Sequence, residues 1–338
     1  MTDPSLAVIS GERHIGTMAW PLLSLSFPCL CRCAIGLAGL LLAHATVVGS
    51  AMAEKMEHAD LTPIRAAYPA ASNTIELGHT ASVTDTVTAE MIAQVLRQRL
   101  GYHVHLVLAD VAFLYSALGN KRIDVFPGAW TPDTHAVFLK RLEGRTQTLG
   151  TLSYRARVGW LVPDTIPATQ TVIGLDDLRA PAIRQRFAGR IHVGEAGSGL
   201  VRLSERARAL YRLKDWSLVP SSQAGATLAL KRAGKRGDPI IATGRKPHWV
   251  LGALNVRFLE DPKRAFGGPQ RIRILGHRTF TADHPWAAQV LSRINLPPEL
   301  LQKLVTSAHQ QSVDTAVDAF LAQHGSRVRY WVTGRIGR

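Results

Sequence analysis

The chain has 338 residues, 46% of them hydrophobic and 19% charged, which is enough apolar material for one large core or two smaller ones and excludes a chain disordered throughout. Its 40 basic residues outweigh 25 acidic ones for a formal charge of +15, a balance that favours contact with nucleic acid, an anionic membrane surface or an acidic ligand. Only one segment, near the N-terminus, is apolar enough for a membrane, which excludes a multi-span transporter; Cys29, Cys31 and Cys33 all precede residue 34, which excludes a disulfide framework or cysteine zinc site further on.

From Trp20 to Gly49 the chain is mostly apolar, and Ala34–Ala43 (AIGLAGLLLA) is uncharged, with Arg32 just ahead of it. Ala51-Met52-Ala53 follows, a small-x-small triplet of the kind signal peptidase accepts. Residues 1–53 are therefore expected to be a secretory signal cut after Ala53, starting from Met1 or Met18, with a retained anchor as the alternative. Asp3, Glu12, Arg13 and Arg32 cancel within it, so the whole +15 rests on the remainder.

Beyond the signal, short β-like runs alternate with helical ones. Ile75–His79 reads as a strand, and Thr84–Leu100 as a helix with Val87, Met91 and Val95 on one stripe, capped by Thr84 or Asp85 and ended by Gly101. Val104, Leu106 and Leu108 alternate with polar neighbours as a half-buried strand; Val111–Leu118 is helical and Ile123–Phe126 a strand. This β-α-β-α-β order predicts a parallel sheet covered by helices. A second set follows: strands at Arg157–Val162, Arg190–Val193, Trp216–Val219, Pro239–Thr243 and Arg271–Leu275, with helices at Leu200–Tyr211 and Gln223–Ala233. Three helices close the chain, at Pro285–Ile294, Pro298–His309 and Val313–Gln323. The architecture expected is α/β with two parallel-sheet lobes, residues 54–160 with 274–338 and residues 161–273. Two crossing strands would join them, leaving near Gly159–Pro163 and returning near Ile272–Gly276, with a ligand cleft between.

Residues suited to covalent chemistry are sparse. There is no GxxxxGKS/T, HExxH or GxSxG. The loop Gly194–Gly199 sits between strand and helix, where Ser198 and backbone N–H groups could face an anion. His103 and His105 share one strand face, which is a solvated face before it is a metal pair. Asp176-Asp177 reads as helix-start acidity. Trp130, at the carboxyl end of a strand and between Gly and Pro, is a candidate ligand wall. Arg245 and His248 lie just past another strand and face the cleft, whereas Trp249, followed by Val250 and Leu251, anchors a helix.

Five runs then come together: Leu100-Gly101-Tyr102, Asp124–Pro132 (DVFPGAWTP), Tyr211–Val219 (YRLKDWSLV), Thr243–Trp249 (TGRKPHW) and Phe258–Lys263 (FLEDPK). In this order they resemble the substrate-binding proteins of glycine betaine/proline betaine/choline ABC importers, from about Ile75 to Trp331. The resemblance implies a two-lobed periplasmic-binding-protein fold of type II that closes on a small solute. It also implies a periplasmic monomer without catalysis, cofactor, metal or nucleic acid. Such a protein hands its solute to a membrane permease driven by a separate ATPase, and meets the membrane only through that permease.

In that family tryptophan faces hold a quaternary ammonium, at about 0.5–2 kcal/mol per ring. This chain departs from the pattern. Where a cage tryptophan follows the first strand it has Ser82-Val83-Thr84-Asp85, and just ahead of the PHW run it has Arg245. Trp130 remains as a wall, with Tyr154 and Trp160 as possible additions near the crossover. A guanidinium about 4 Å from a trimethylammonium is repelled by about 4 kcal/mol at an effective dielectric of 20, enough to cancel a cage. The expected ligand is therefore zwitterionic or carboxylated, paired with Arg245, with Asp85 offsetting charge or holding an amine. The rival readings are an enzyme on the same scaffold using Asp85, Glu195 and His248, and a secreted basic nucleic-acid-binding protein.

Overall fold

The structure is a computed structural model that describes residues 73–335, so the expected signal segment lies outside the described residues. Strand β1 (Thr74–His79) leads into helix α1 (Val83–Leu100), β2 (His103–Leu108), α2 (Val111–Gly119) and β3 (Val125–Thr131). β1 pairs in parallel with both β2 and β3. α1 begins at Ser82, whose hydroxyl accepts the Asp85 N–H at 3.2 Å. This corrects the cap expected at Thr84 or Asp85: Ser82 is extended and takes the orphan donor, which leaves the next side chains for other contacts. Gly101 closes the helix at φ 70°, its N–H returning to the Arg97 carbonyl at 3.1 Å.

After α3 (Ala136–Arg141) comes β4, a single 18-residue strand from Thr146 to Pro163. Its first half, to Ala156, pairs antiparallel with β9 (Gln270–His277), which is itself antiparallel to β3. From Arg157 onward it pairs antiparallel with β7 (Ala242–Lys246) and then with β8 (Val256–Phe258). β5 (Arg190–Val193) lies in parallel between β6 (Ser217–Pro220) and β7. Each half therefore has the expected parallel core, of three strands, with an antiparallel margin added to it. β4 changes partners at Ala156–Arg157, and the return passes through Leu259–Pro269 into Gln270. Both joins thus precede the expected points, because β4 is one continuous strand that serves two sheets.

Between these strands lie α4 (Pro167–Gln170), a 3-10 turn (Leu175–Arg179), α5 (Pro181–Arg186), α6 (Gly199–Leu210), α7 (Gln223–Arg236) and α8 (Val250–Ala253). The chain ends with α9 (Phe280–Asp283), α10 (Pro285–Arg293), α11 (Pro298–Gln310), α12 (Val313–Gln323) and α13 (Gly325–Thr333). α11 and α12 pack on α1, while α10 packs on β4 and α13. No helix among the described residues is long and apolar enough to cross a membrane.

Trp160 belongs to this core. It is fully buried, meets the Phe266 ring edge-on at 5.5 Å, and gives its indole N–H to Ser204 Oγ at 3.1 Å. Trp160→Ala leaves a large cavity and an orphaned hydroxyl, for an expected loss of about 3–5 kcal/mol. Urea unfolding followed by circular dichroism measures it.

Candidate ligand-binding site

Three segments meet at the N-terminus of α1. The first is α1 itself. With Ser82 spent on the cap, Asp85 turns inward, 4% exposed, and its Oδ2 accepts the Thr80 hydroxyl at 2.5 Å. Gly128 on β3 makes room for it: a Cβ there would stand 3.2 Å from the Asp85 carboxyl carbon. Thr84 reaches the opposite way, donating to the Pro247 carbonyl at 3.4 Å.

The second segment is the end of β3. Trp130 is buried, and its backbone N–H donates to His135 Nδ1 at 3.1 Å. The Tyr115 hydroxyl meets the same nitrogen at 3.0 Å. The Trp130 indole N–H is buried with no acceptor. The third segment is the end of β7, where the Arg245 guanidinium lies over the Trp130 ring, 5.6 Å from its centroid. Next to it His248 accepts the Val250 N–H on Nδ1 at 3.2 Å, and its main chain is clasped by Gln302 from both sides, at 3.1 and 3.0 Å. Trp249 stacks on His309 at 3.5 Å, which ties α8 to α11.

Ser198 caps α6, its hydroxyl accepting the Val201 N–H at 3.4 Å. The next residue, Gly199, is pressed against the Thr134 carbonyl, where a Cβ would overlap it. Arg202 binds that carbonyl at 3.3 Å and Gly197's at 2.7 Å. The two sheets are thus in contact at Thr84–Pro247 and at Thr134–Gly199. Behind Arg245 a cavity of about 40 Å³ is lined by Leu161, Leu200, Thr227, Leu230 and His248, room for a few waters. A solute reaching Trp130 must therefore part these contacts or displace the Arg245 side chain.

The residues expected at the site divide accordingly. Ser82, Thr84, Asp85, Trp130, Arg245 and His248 are brought together, and Ser198 lies beside them on the Gly199 contact. Trp160 is in the core, and Tyr154, 46% exposed, lines a separate hollow with Arg155 and Arg271. Sequence reasoning missed Thr80 and His135. Asp133-Thr134-His135, a polar run directly after the Trp130 loop, was the available signal. Among the described residues no group of three His, Cys, Asp or Glu is arranged to hold a metal; His105 instead pairs with Glu76 at 2.8 Å.

Burial dominates the electrostatics. It raises Asp85, with Arg245, Thr80, Ser82 and His79 offsetting part of the rise. It lowers Arg245, with Asp85 and Glu195 opposing. Each group thus favours the charged form of the other, against the desolvation that both suffer. His248 is lowered to about 3 by burial, then by Arg245 and His309. His135 is lowered to about 3 by burial, then by Arg245 and Arg202. Both imidazoles are neutral, which suits each Nδ1 to its role as acceptor.

Residues 73–323 match the family described as the substrate-binding domain of ABC-type glycine betaine transport systems. The glycine betaine/carnitine transport binding protein GbuC of Listeria monocytogenes is 29% identical over 143 residues, 41% of this chain and 48% of GbuC; the chain spans about half the length of that curated relative. Lactococcal OpuAC, solved closed with glycine betaine, superposes with a TM-score of 0.71 at 25% identity, covering 78% of this chain and all of OpuAC. A choline-binding protein of an ABC transporter, solved with choline, gives 0.69 at 22% identity, covering 78% of this chain and 92% of its own. The fold is the two-lobed α/β fold of type II periplasmic binding proteins.

The neutral histidines carry a pH dependence. In the unfolded chain each titrates near 6.5 and in the native state near 3. Over that interval the unfolded state binds protons that the native state does not, so stability present above 6.5 is lost as pH falls toward 3. Asp85, raised by burial, acts with the opposite sign. The histidines' share is therefore the difference between wild type and His135→Asn or His248→Asn, each of which keeps an acceptor. Melting temperatures followed from neutral pH into acid are expected to fall less steeply in both variants.

Proposed function

Because the chain belongs to the family of substrate-binding domains of ABC-type glycine betaine transport systems, we propose that it is the solute-binding component of an importer of this type. Its ligand is a small zwitterionic or carboxylated solute held between the two halves. Substrate-binding proteins of ABC importers bind small solutes and work with a permease and an ATPase, and those are the partners proposed here. The protein acts as a periplasmic monomer exported by its N-terminal segment, and it reaches the membrane through the permease. The two lobes divide where β4 changes partners after Ala156 and where the chain enters β9 at Gln270, a few residues ahead of the boundaries expected after 160 and 273.

One observation carries the ligand class: the Arg245 guanidinium over Trp130, facing Asp85. A cation is already present on the ring that would receive a trimethylammonium. A carboxylate relieves the arrangement, because it can pair with the guanidinium and accept the buried Trp130 indole N–H. Asp85 then receives the positive end of a zwitterion. Closure follows from the contacts at Thr84–Pro247 and Thr134–Gly199, which favour the state in which the solute is enclosed.

Catalysis is disfavoured. His248 spends Nδ1 on Val250, and Asp85 is engaged by Thr80 and Ser82. A nucleic-acid role would need a stripe of arginines with stacking aromatics; the aromatic rings at this site are buried.

The test is a thermal-shift and calorimetric screen of betaines, choline, amino acids and small dicarboxylates. A ligand at a hundred times its dissociation constant stabilises by about 2.7 kcal/mol. Carboxylated solutes without a quaternary ammonium are expected to give the largest shift and Arg245→Ala to weaken them at least about tenfold, while Arg245→Trp gains affinity for glycine betaine or choline. A wild-type protein that prefers choline, or an Arg245→Ala variant that binds carboxylates unchanged, overturns the assignment.

A further inference from the structure

Away from Trp130 and Arg245, on the face of β4 and β9 that carries Tyr154, lies a hollow of about 590 Å³. Three arginines line it, with Gln270, Tyr154 and Thr131. Two of them, Arg271 and Arg273, are two apart on β9 and so share one face. The third, Arg155, comes from β4, where the register slips between Ser153 and Ala156 and the backbone takes φ 54°. That slip lifts Tyr154 and Arg155 out of the ladder.

No carboxylate lines this hollow. Among the described residues the ion pairs involve none of the three arginines. Arg273 gives Nη1 to Thr148 Oγ1 at 3.3 Å, and its Nε is buried without an acceptor. Gln270 is 1% exposed. Its Oε1 is taken by the Thr134 N–H at 3.2 Å and hydroxyl at 2.8 Å, and its Nε2 has no acceptor. One of these donors, Arg273 Nε, belongs to the like charges of the lining, whereas Gln270 alternates to the other face of β9. Each orphaned donor is costly, and the charges repel one another across a partly enclosed space.

We propose that this hollow is a second ligand site, for a small multiply charged oxyanion such as phosphate or pyrophosphate. Such an anion supplies what the lining lacks: an acceptor for Arg273 Nε, and charge to match three guanidinium groups, which bind oxyanions bidentately. The site is independent of the solute proposed for the Trp130 cleft. Arg155 and Tyr154 lie on β4, the strand shared by both halves, and Arg271 and Arg273 on β9 beside it; the hollow approaches the cleft through Thr131, the neighbour of Trp130.

The experiment is calorimetric titration of the purified full chain with inorganic phosphate and with pyrophosphate, in a buffer of low ionic strength. One-to-one binding is expected, tighter for pyrophosphate and weakened by added salt. The double variant Arg271→Gln/Arg273→Gln is expected to lose at least about tenfold in affinity. Arg155→Gln, on the exposed bulge, tests the same site without touching the sheet interior and is expected to weaken binding too. Arg245→Gln locates the anion, since binding at the hollow survives it. Absence of wild-type binding at millimolar pyrophosphate overturns the proposal. So does binding abolished by Arg245→Gln, or retained in full by both the double variant and Arg155→Gln.

Discussion

A half-buried guanidinium packed over an indole sets the terms for everything around it. A charge removed from water costs several kcal/mol unless it is paired. Arg245 is held by the Trp130 ring and by the charge of Asp85. Asp85 is itself buried, and Arg245, Thr80 and Ser82 offset part of the rise that desolvation imposes on its carboxyl. Removing any one of these leaves another uncompensated. The local sequence is arranged to supply them. Ser82 takes the helix cap, Gly128 leaves room for the carboxylate, and two neutral imidazoles, His135 and His248, add no positive charge beside Arg245.

The partners come from opposite sides of the molecule. Asp85 and Trp130 belong to the sheet around β1, β3 and β9, and Arg245 and His248 to the one around β5 and β7. What makes them neighbours is β4, which pairs with β9 over its first half and with β7 over its second. One strand of 18 residues is stiff enough to fix the spacing of the sheets and long enough to let each keep its own parallel core. The small residue at Gly199 then allows α6 to touch Thr134. The site is thus a product of the strand pairing and of a few positions where only glycine fits.

Much of this was legible in the sequence. The period of α1, Gly101 at its end, and the bounds of β5 and α12 follow from rules that act within a few residues. Trp130 and Arg245 stood out because a tryptophan between glycine and proline and an arginine just past a strand are conspicuous at sheet edges. What stayed hidden depends on distant partners. The first half of β4, Thr146–Ala156, shows no apolar alternation, because its burial is decided by β9 more than a hundred residues later. α13 begins with Gly325-Ser326-Arg327 and shows its role only through Val328, Trp331 and Val332 packed inward. Tyr154 and Trp160 both stood near the expected crossover, which offered them as additions to the Trp130 wall. The register slip at Ser153–Ala156 lies between them and sends Tyr154 outward while Trp160 enters the core.

The substitution of arginine for an aromatic wall changes the recognition problem without disturbing the fold. An aromatic cage attracts a cation that has no hydrogen to donate, and its selectivity comes from shape and from the ring quadrupole. A guanidinium over a single ring keeps the ring's face occupied and turns the site's free valence toward an acceptor. On the function proposed above, the scaffold selects for the acidic end of a zwitterion instead of its cationic end. In that proposal Asp85, buried near Arg245, is the group that meets the positive end of the solute. The proposed ligand polarity is therefore set by the balance of Asp85 and Arg245, one on each half.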